Sequence, residues 1–164
     1  MKVFEKEAKN YDLLAADGTF MGKLTFESWL NSKASITTQY GEFYDLKTVG
    51  FWTSTVSVMK GSDLFAELRR NWIGQVIIDI AGNDIEKDFI VKRKGFWKNL
   101  YVLQDRFEND ILTLLPEYEW FGKTHYSIEI NPDHQSEATE TMILLATFAA
   151  ISIKKGQQRA AAGA

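Results

Sequence analysis

The sequence predicts a mainly β protein, a closed antiparallel β-barrel of about twelve short strands around a central hydrophobic α-helix. Three observations lead to this prediction. Short alternating or β-branched segments, separated by turn residues, fill the chain up to Asn131. Two of these segments are similar enough to suggest an internal repeat. A long uncharged segment without a polar face then follows near the C-terminus.

Length and composition bound the interpretation. The 164 residues are the size of one domain, and 13% aromatic residues with only two prolines suit many strands. We expect residues 1–155 to form a single domain, with the helix at about 136–155 and a mobile tail at 156–164. A net charge of −3 argues against general nucleic-acid binding, and the absence of cysteine excludes disulfides and thiolate metal sites.

The predicted strands alternate with turn-forming dipeptides such as Asp17-Gly18, Tyr40-Gly41 and Lys94-Gly95. They lie near Tyr11–Ala15, Thr19–Trp29, Ala34–Gln39, Glu42–Val49, Trp52–Met59, Asp63–Arg69, Gln75–Ala81, Ile85–Lys92, Trp97–Leu103, Ile111–Pro116, Tyr118–Trp120 and Thr124–Ile130.

The internal repeat matches YDLKTVGFW, which starts at Tyr44, with FIVKRKGFW, which starts at Phe89, 45 residues later. Each copy is followed by a second similar element, a Trp-x-Gly turn and an alternating strand, so each unit contains about four strands. Two such units favour a closed barrel, which leaves few exposed sheet edges.

Alternation along the strands assigns the two faces of each repeat copy. We expect Tyr44, Leu46, Phe89 and Val91 to point inward, and the lysines to point outward. The five tryptophans are predicted to pack in the barrel core. They are Trp29, Trp52, Trp72, Trp97 and Trp120.

The C-terminal segment ETMILLATFAAISIKK contains thirteen uncharged residues, Thr141 to Ile153. A transmembrane helix needs about 20 mainly apolar residues, so this segment is too short to be a membrane span. A helix that is apolar on every side must then be buried within the protein. Glu140 at its start and Lys154 and Lys155 at its end suit the helix dipole, and the lysines are expected to mark its emergence into water.

With these features the chain resembles the tubby-like superfamily, which includes the plant LURP-one-related proteins and the phospholipid scramblases. The resemblance rests on YDLKTVGFW, FIVKRKGFW, WKNLYVLQD and TMILLATFAAISIKK, and it covers roughly Tyr11 to Lys155. It implies a barrel threaded by its final helix. Some members of the superfamily bind phosphoinositides or act at membranes, and others have no established activity. A shared fold alone does not assign any of these functions to this chain.

The most informative surface feature is the basic hairpin Lys92, Arg93, Lys94 and Lys98. Lysines on one outer surface could bind an anionic lipid head group or another phosphate-bearing ligand. The alternative is a solvated pair of strands whose lysines discourage edge-to-edge aggregation. Two further functions stay open, an interaction scaffold with a protein partner and a carrier that holds a small apolar molecule inside the barrel.

No motif indicates catalysis, a cofactor or a metal site. His125 and His134 stand alone, without a nucleophile motif around them, so structural or exposed roles are expected. The acidic segment DRFEND, from Asp105, lacks regular oxygen-ligand spacing and is interpreted as a hairpin loop. The first ten residues, MKVFEKEAKN, show no secretory signal, so we expect a cytoplasmic protein with peripheral association at membranes.

Overall fold

The computed structural model describes residues 1–28, 33–49, 55–82, 88–95, 99–119 and 122–163. These residues contain twelve strands, a short 3-10 helix and one α-helix. The strands are β1 Lys2–Glu7, β2 Asn10–Leu14, β3 Phe20–Ser28, β4 Lys33–Thr38, β5 Phe43–Val49, β6 Thr55–Lys60, β7 Asp63–Arg70, β8 Val76–Ile80, β9 Asp88–Lys94, β10 Leu100–Gln104, β11 Asp110–Tyr118 and β12 Thr124–Ile130. The 3-10 helix is Pro132–His134, and the α-helix, α1, is Glu140–Ala162.

Each strand pairs antiparallel with its neighbours in the chain, and β1 pairs with β12 to close the barrel. The seam between β1 and β12 has two parts. Backbone pairing joins Lys2 to Ser127 and Val3 to Tyr126. Further along, side chains make the connection, because the Glu5 backbone N–H donates to His125 Nδ1 at 3.1 Å and Glu5 Oε2 accepts from the Thr124 N–H at 2.8 Å. Closure pairs the two strands that would otherwise be sheet edges.

Helix α1 fills the barrel. Every residue from Thr141 to Ile151 is buried, and consecutive helical residues point in all directions, so strands surround the helix. Phe148 stacks on Phe26 of β3, with ring centroids 5.4 Å apart. A Cβ at Gly22 would lie 3.0 Å from Leu144 Cδ1, so the helix lies very close to β3. The predicted fold class is therefore confirmed.

A filled interior overturns one of the open alternatives. Four large side chains of the helix occupy the barrel axis and are almost completely buried; they are Leu144, Leu145, Phe148 and Ile151. The hypothesis of a carrier that holds an apolar ligand along the barrel axis is wrong, because the protein's own helix takes that volume.

The predicted number of strands is right, although the prediction missed one strand and divided another into two. Strand β1 was not predicted, because its sequence KVFEKE is mostly charged and buries only Val3 fully. Strand β11 was predicted as two strands separated near Pro116. It continues through Pro116, which pairs with Tyr126 on β12, while its pairing with β10 ends at Leu114. A proline is tolerated there because, in the described part of the sheet, only β12 pairs with the strand at Pro116.

The helix differs from the prediction at both ends. It begins at Glu140 rather than near residue 136, because the Thr139 side chain caps it by accepting from the Met142 N–H. It continues through residues 156–162, which we predicted as a mobile tail; the alanines and Arg159 of that segment are good helix formers.

The inward and outward assignments of the repeat are confirmed. Tyr44, Leu46, Phe89 and Val91 are buried, while the outward Lys47 is exposed. The prediction that the tryptophans form core is wrong for Trp72, which is 96% exposed at a turn. The other four, Trp29, Trp52, Trp97 and Trp120, lie outside the described residues.

Candidate anion-binding surface

The two ends of the barrel are chemically different. Connections in an up-and-down barrel alternate between the ends, so the turns β1–β2, β7–β8 and β11–β12 lie at the end where α1 leaves the barrel. We call this the helix-exit end. The turns β2–β3, β4–β5, β6–β7 and β10–β11 lie at the other end, the helix-entry end, together with the segment that leads into α1.

Basic side chains predominate at the helix-exit end. Among the described residues they include Lys6, Lys9, Lys33, Lys47, Arg69, Arg70, Arg93, Lys123, Lys154, Lys155 and Arg159. The acids there include Glu5, Glu7, Glu27, Glu117 and Glu119. Four of the cations form ion pairs with carboxylates: Lys6 with Asp12, Lys33 with Glu27, Lys47 with Asp45 and Arg69 with Asp79. The helix-entry end has the opposite balance, with Asp17, Glu42, Asp63, Asp105, Glu108, Asp133, Glu137 and Glu140 near Lys60 and Arg106. A slightly acidic protein therefore presents one cationic end.

The predicted basic hairpin is partly neutralised by its surroundings. Lys94 Nζ lies 2.6 Å from Asp110 Oδ2. Burial acts to raise the pKa of Asp110, but hydrogen bonds from Lys94 and Gln104 outweigh it and hold that pKa below its usual range. Arg93 donates to Asn99 Oδ1, and Lys92 is half-buried, beside Val102 in the sheet. Lys98 lies outside the described residues, so the hairpin site stays a prediction.

An ordered turn presents two apolar side chains at the helix-exit end. Trp72 is 96% exposed and Ile73 is 55% exposed, in the turn that joins β7 to β8. Asn71 holds this turn: its backbone N–H donates to Gln75 O, its Oδ1 accepts from the Gln75 N–H, and its carbonyl accepts from Gly74 N–H. Since the turn is closed by these bonds, the two apolar side chains are held in solvent instead of folding back onto the barrel.

The last turns of α1 are fixed to this end of the barrel by Lys154. Its Nζ donates to Thr124 Oγ1 at 3.2 Å and lies 4.7 Å from the centre of the Tyr118 ring. Lys123 Nζ, from the adjoining turn, donates to the Lys6 carbonyl at 2.9 Å. These contacts join the helix, β1 and the β11–β12 turn at the helix-exit end.

A cavity of about 160 Å3 lies beside the helix at this end. Its wall has an apolar part and a cationic part, the latter formed by Arg70, Lys155 and Arg159. The other lining residues are Phe26, Thr48, Val56, Leu68, Val76, Phe148, Ala149, Ser152 and Gly156. The described lining residues include no carboxylate. Strands β3, β5, β6, β7 and β8 all contribute, so the cavity depends on how these strands pack around the helix.

Three close approaches position two of the cations of the cavity, Arg70 and Lys155. Arg70 Nη2 donates to the Ile153 carbonyl at 3.4 Å, and a Cβ at Gly156 would lie 2.2 Å from Arg70 Nη1. Lys155 Nζ lies 5.2 Å from the centre of the Phe26 ring. Burial, and secondarily the charge of Arg159, lowers the pKa of Lys155 to about 8. The ammonium is thus held where water solvates it incompletely.

Both histidines make contacts that are consistent with structural roles. The His125 ring stacks on Phe4 with centroids 4.1 Å apart, and its Nε2 is 2.8 Å from Glu119 Oε1, without the geometry of a hydrogen bond. His134 Nδ1 lies 2.8 Å from Glu137 Oε1, a contact that raises the pKa of His134. In the described part of the chain, no cluster of three His, Asp or Glu side chains could hold a metal.

The acidic loop from Asp105 is held by its own backbone. Asp105 Oδ1 accepts from the N–H groups of Phe107 and Asn109, and Oδ2 accepts from Asn109 Nδ2. These hydrogen bonds use the carboxylate to shape the β10–β11 turn. The interpretation as a hairpin loop agrees with this geometry.

Comparison with known proteins extends only to the fold. No family model matches the chain, and no curated protein matches it. The X-ray structure of a protein from Arabidopsis thaliana is similar, with a TM-score of 0.52 and 14% sequence identity over 89% of this chain and 88% of that one. Membership of the tubby-like superfamily stays a prediction. Among the described residues, no helix combines the length and apolarity needed to cross a membrane.

Proposed function

We propose that this protein is a non-enzymatic barrel that binds anionic phospholipid surfaces through its helix-exit end. The observation that supports this most is the combination of a cationic end with the exposed Trp72–Ile73 turn. A basic residue near an anionic membrane contributes about 1 kcal/mol of attraction, so several together are sufficient for reversible binding. Tryptophan favours the interface between head groups and acyl chains.

The helix-entry end provides an internal comparison. It also exposes large aromatic side chains, Tyr40 and Phe107, but acidic residues surround them. An anionic surface repels that end and attracts the other. The orientation therefore follows from charge, while the apolar turn adds a contact that salt does not screen.

Co-sedimentation with vesicles tests the proposal. Vesicles of phosphatidylcholine alone are compared with vesicles that also contain phosphatidylserine, at low and high salt. We expect binding only to the anionic vesicles, weakened by salt. Trp72→Ala and the double variant Lys6→Glu/Lys123→Glu should weaken it. The matched controls at the helix-entry end, Tyr40→Ala and the pair Lys60→Glu/Arg106→Glu, should leave it unchanged.

The hairpin hypothesis is tested in the same assay by reversing the charges of Lys92, Lys94 and Lys98. Partial weakening is expected if the hairpin adds to the surface. Binding lost in this variant but unchanged in Trp72→Ala and Lys6→Glu/Lys123→Glu would contradict the proposed orientation. Equal binding to neutral vesicles, or no binding, would overturn the proposal; a specific protein partner found instead would favour the interaction scaffold.

A further inference from the structure

The cavity at the helix-exit end has the composition of a site for a small amphipathic anion. One part of its wall is apolar, with Phe26, Val56, Leu68 and Val76 from four strands. Phe148 of the helix, stacked on Phe26, completes this part. The volume of about 160 Å3 is close to the ~150 Å3 of an engineered apolar cavity that binds benzene, which suits a short organic chain.

The cationic part of the wall is built on two elements. Lys155 and Arg159 are four residues apart, so they lie on one face of α1, where like charges destabilise a helix. Arg70 reaches the same face from the end of β7. Three cations and no carboxylate among the described lining residues give this cavity a positive balance of charge, which favours an anionic occupant. Glu5 is close enough to act on Lys155, but it does not line the cavity.

Gly156 is the strongest evidence that the fold fixes the position of the Arg70 side chain. Glycine within a helix costs about 1 kcal/mol relative to alanine. Here the missing side chain leaves the space that the guanidinium occupies, since a Cβ would lie 2.2–2.7 Å from three of its atoms. The fork of an arginine matches the two oxygens of a carboxylate or phosphate.

We infer that this cavity binds a small anion with a short apolar chain, its carboxylate or phosphate held by Arg70, Lys155 and Arg159. The chain lies against Phe26, Val56, Leu68 and Val76. Such a molecule could be free in solution or be the exposed part of a lipid, and both present the same chemistry. This inference does not depend on vesicle binding, because a soluble probe tests it alone.

Calorimetric titration of the full chain with hexanoate tests the inference. Hexanol serves as the neutral probe and acetate as the probe without a chain. Hexanoate should bind measurably, and hexanol and acetate at least about tenfold more weakly, the change that corresponds to losing roughly 1.4 kcal/mol of charged or apolar contact. Hexyl phosphate in place of hexanoate distinguishes the two head groups, and short-chain phosphatidylserine below its micelle concentration distinguishes a lipid source from a free anion.

Variants locate the binding. Arg159→Gln should weaken hexanoate binding about tenfold, since Arg159 is exposed near the helix end and its loss removes one charge-assisted contact. The matched control Arg106→Gln, at the helix-entry end, should bind as the wild type does. In amide NMR spectra the shifts on titration should centre on Ser152 and Gly156. Equal binding of hexanol, unchanged binding in Arg159→Gln and Arg70→Gln, or shifts elsewhere would overturn the inference.

Discussion

The guanidinium of Arg70 lies against the backbone of Gly156, in a space that any side chain at position 156 would fill. A Cβ there would come within 2.2 Å of Arg70 Nη1 and 2.4 Å of Nη2. The two residues are far apart in the chain, one at the end of β7 and one in the last turns of α1. Their contact joins the barrel wall to the helix at the helix-exit end.

This contact predicts energetic coupling. Gly156→Ala should gain little stability while Arg70 is present, because the guanidinium must leave its place beside the Ile153 carbonyl. In an Arg70→Ala background the same substitution should gain about 1 kcal/mol, the ordinary helix preference for alanine. Urea unfolding of the four proteins should give a coupling of at least about 0.5 kcal/mol. As a control, the change in the free energy of unfolding caused by Gln158→Ala, on the exposed side of the helix, should add to that of Arg70→Ala. If the changes caused by Gly156→Ala and Arg70→Ala are also additive, the proposed contact is contradicted.

The close approach of the helix to β3 predicts a second effect. Gly22→Ala should destabilise the protein by about 1–3 kcal/mol, because the added Cβ meets both Leu144 Cδ1 and the Thr37 carbonyl at 3.0 Å. Leu144→Ala alone should cost about 2–5 kcal/mol through the cavity it leaves. The double variant should cost less than the sum of the two losses in thermal or urea unfolding. A sum that is simply additive would show that position 22 does not contact the helix.

The seam between β1 and β12 predicts a structural role for His125. His125→Phe keeps a ring on Phe4 but removes the acceptor of the Glu5 N–H, so the free energy of unfolding should fall by about 1–3 kcal/mol. The control Gln135→Ala, at an exposed position outside the seam, should change it by less than about 0.5 kcal/mol. Hydrogen exchange should become faster in β1 before it does in β6 or β7. A Phe variant as stable as the wild type would contradict this role.

From the position of Lys155 we predict that the stability of the protein changes with pH in a definite direction. Its pKa in the folded protein, about 8, is below the usual lysine value of 10.5. The unfolded chain therefore binds more protons between these values, and stability due to this group rises as pH increases from about 8 to 10.5. Lys155→Met should remove that rise, seen as a difference between the two stability curves. A lysine titration near 10.5 in NMR, or parallel curves, would contradict the buried position.

Much of the fold could be predicted because alternation and helix periodicity report burial directly. The repeat placed Tyr44 and Phe89 on the inner face, and the all-round apolar segment required a surrounding wall. Strand β1 could not be found this way, because its closing contacts use side chains such as His125 and its own sequence is charged. Trp72 was misassigned because residue type predicts burial only on average, and a turn exposes whatever it carries.

The candidate site was less accessible from the sequence. A run such as Lys92 to Lys94 shows its charge locally, but it does not show that Asp110 pairs with one member. The cavity brings Arg70 together with Lys155 and Arg159 only because the end of β7 packs against the last turns of the helix. The one local sign was Gly156, a glycine in a strongly helical segment, which can indicate close approach of another group.

The orientation of the barrel on an anionic membrane is the central claim, and the absence of cysteine makes it directly measurable. Nitroxide labels are attached to two single-cysteine variants, Ile73→Cys in the helix-exit turn and Phe107→Cys in a helix-entry turn. The accessibility of each label to oxygen and to a water-soluble nickel complex is then measured in the presence of phosphatidylserine-containing vesicles. We predict that the label at position 73 moves into the oxygen-rich interface while the label at position 107 stays in water. Immersion of position 107, or of neither position while the protein co-sediments, would contradict the account.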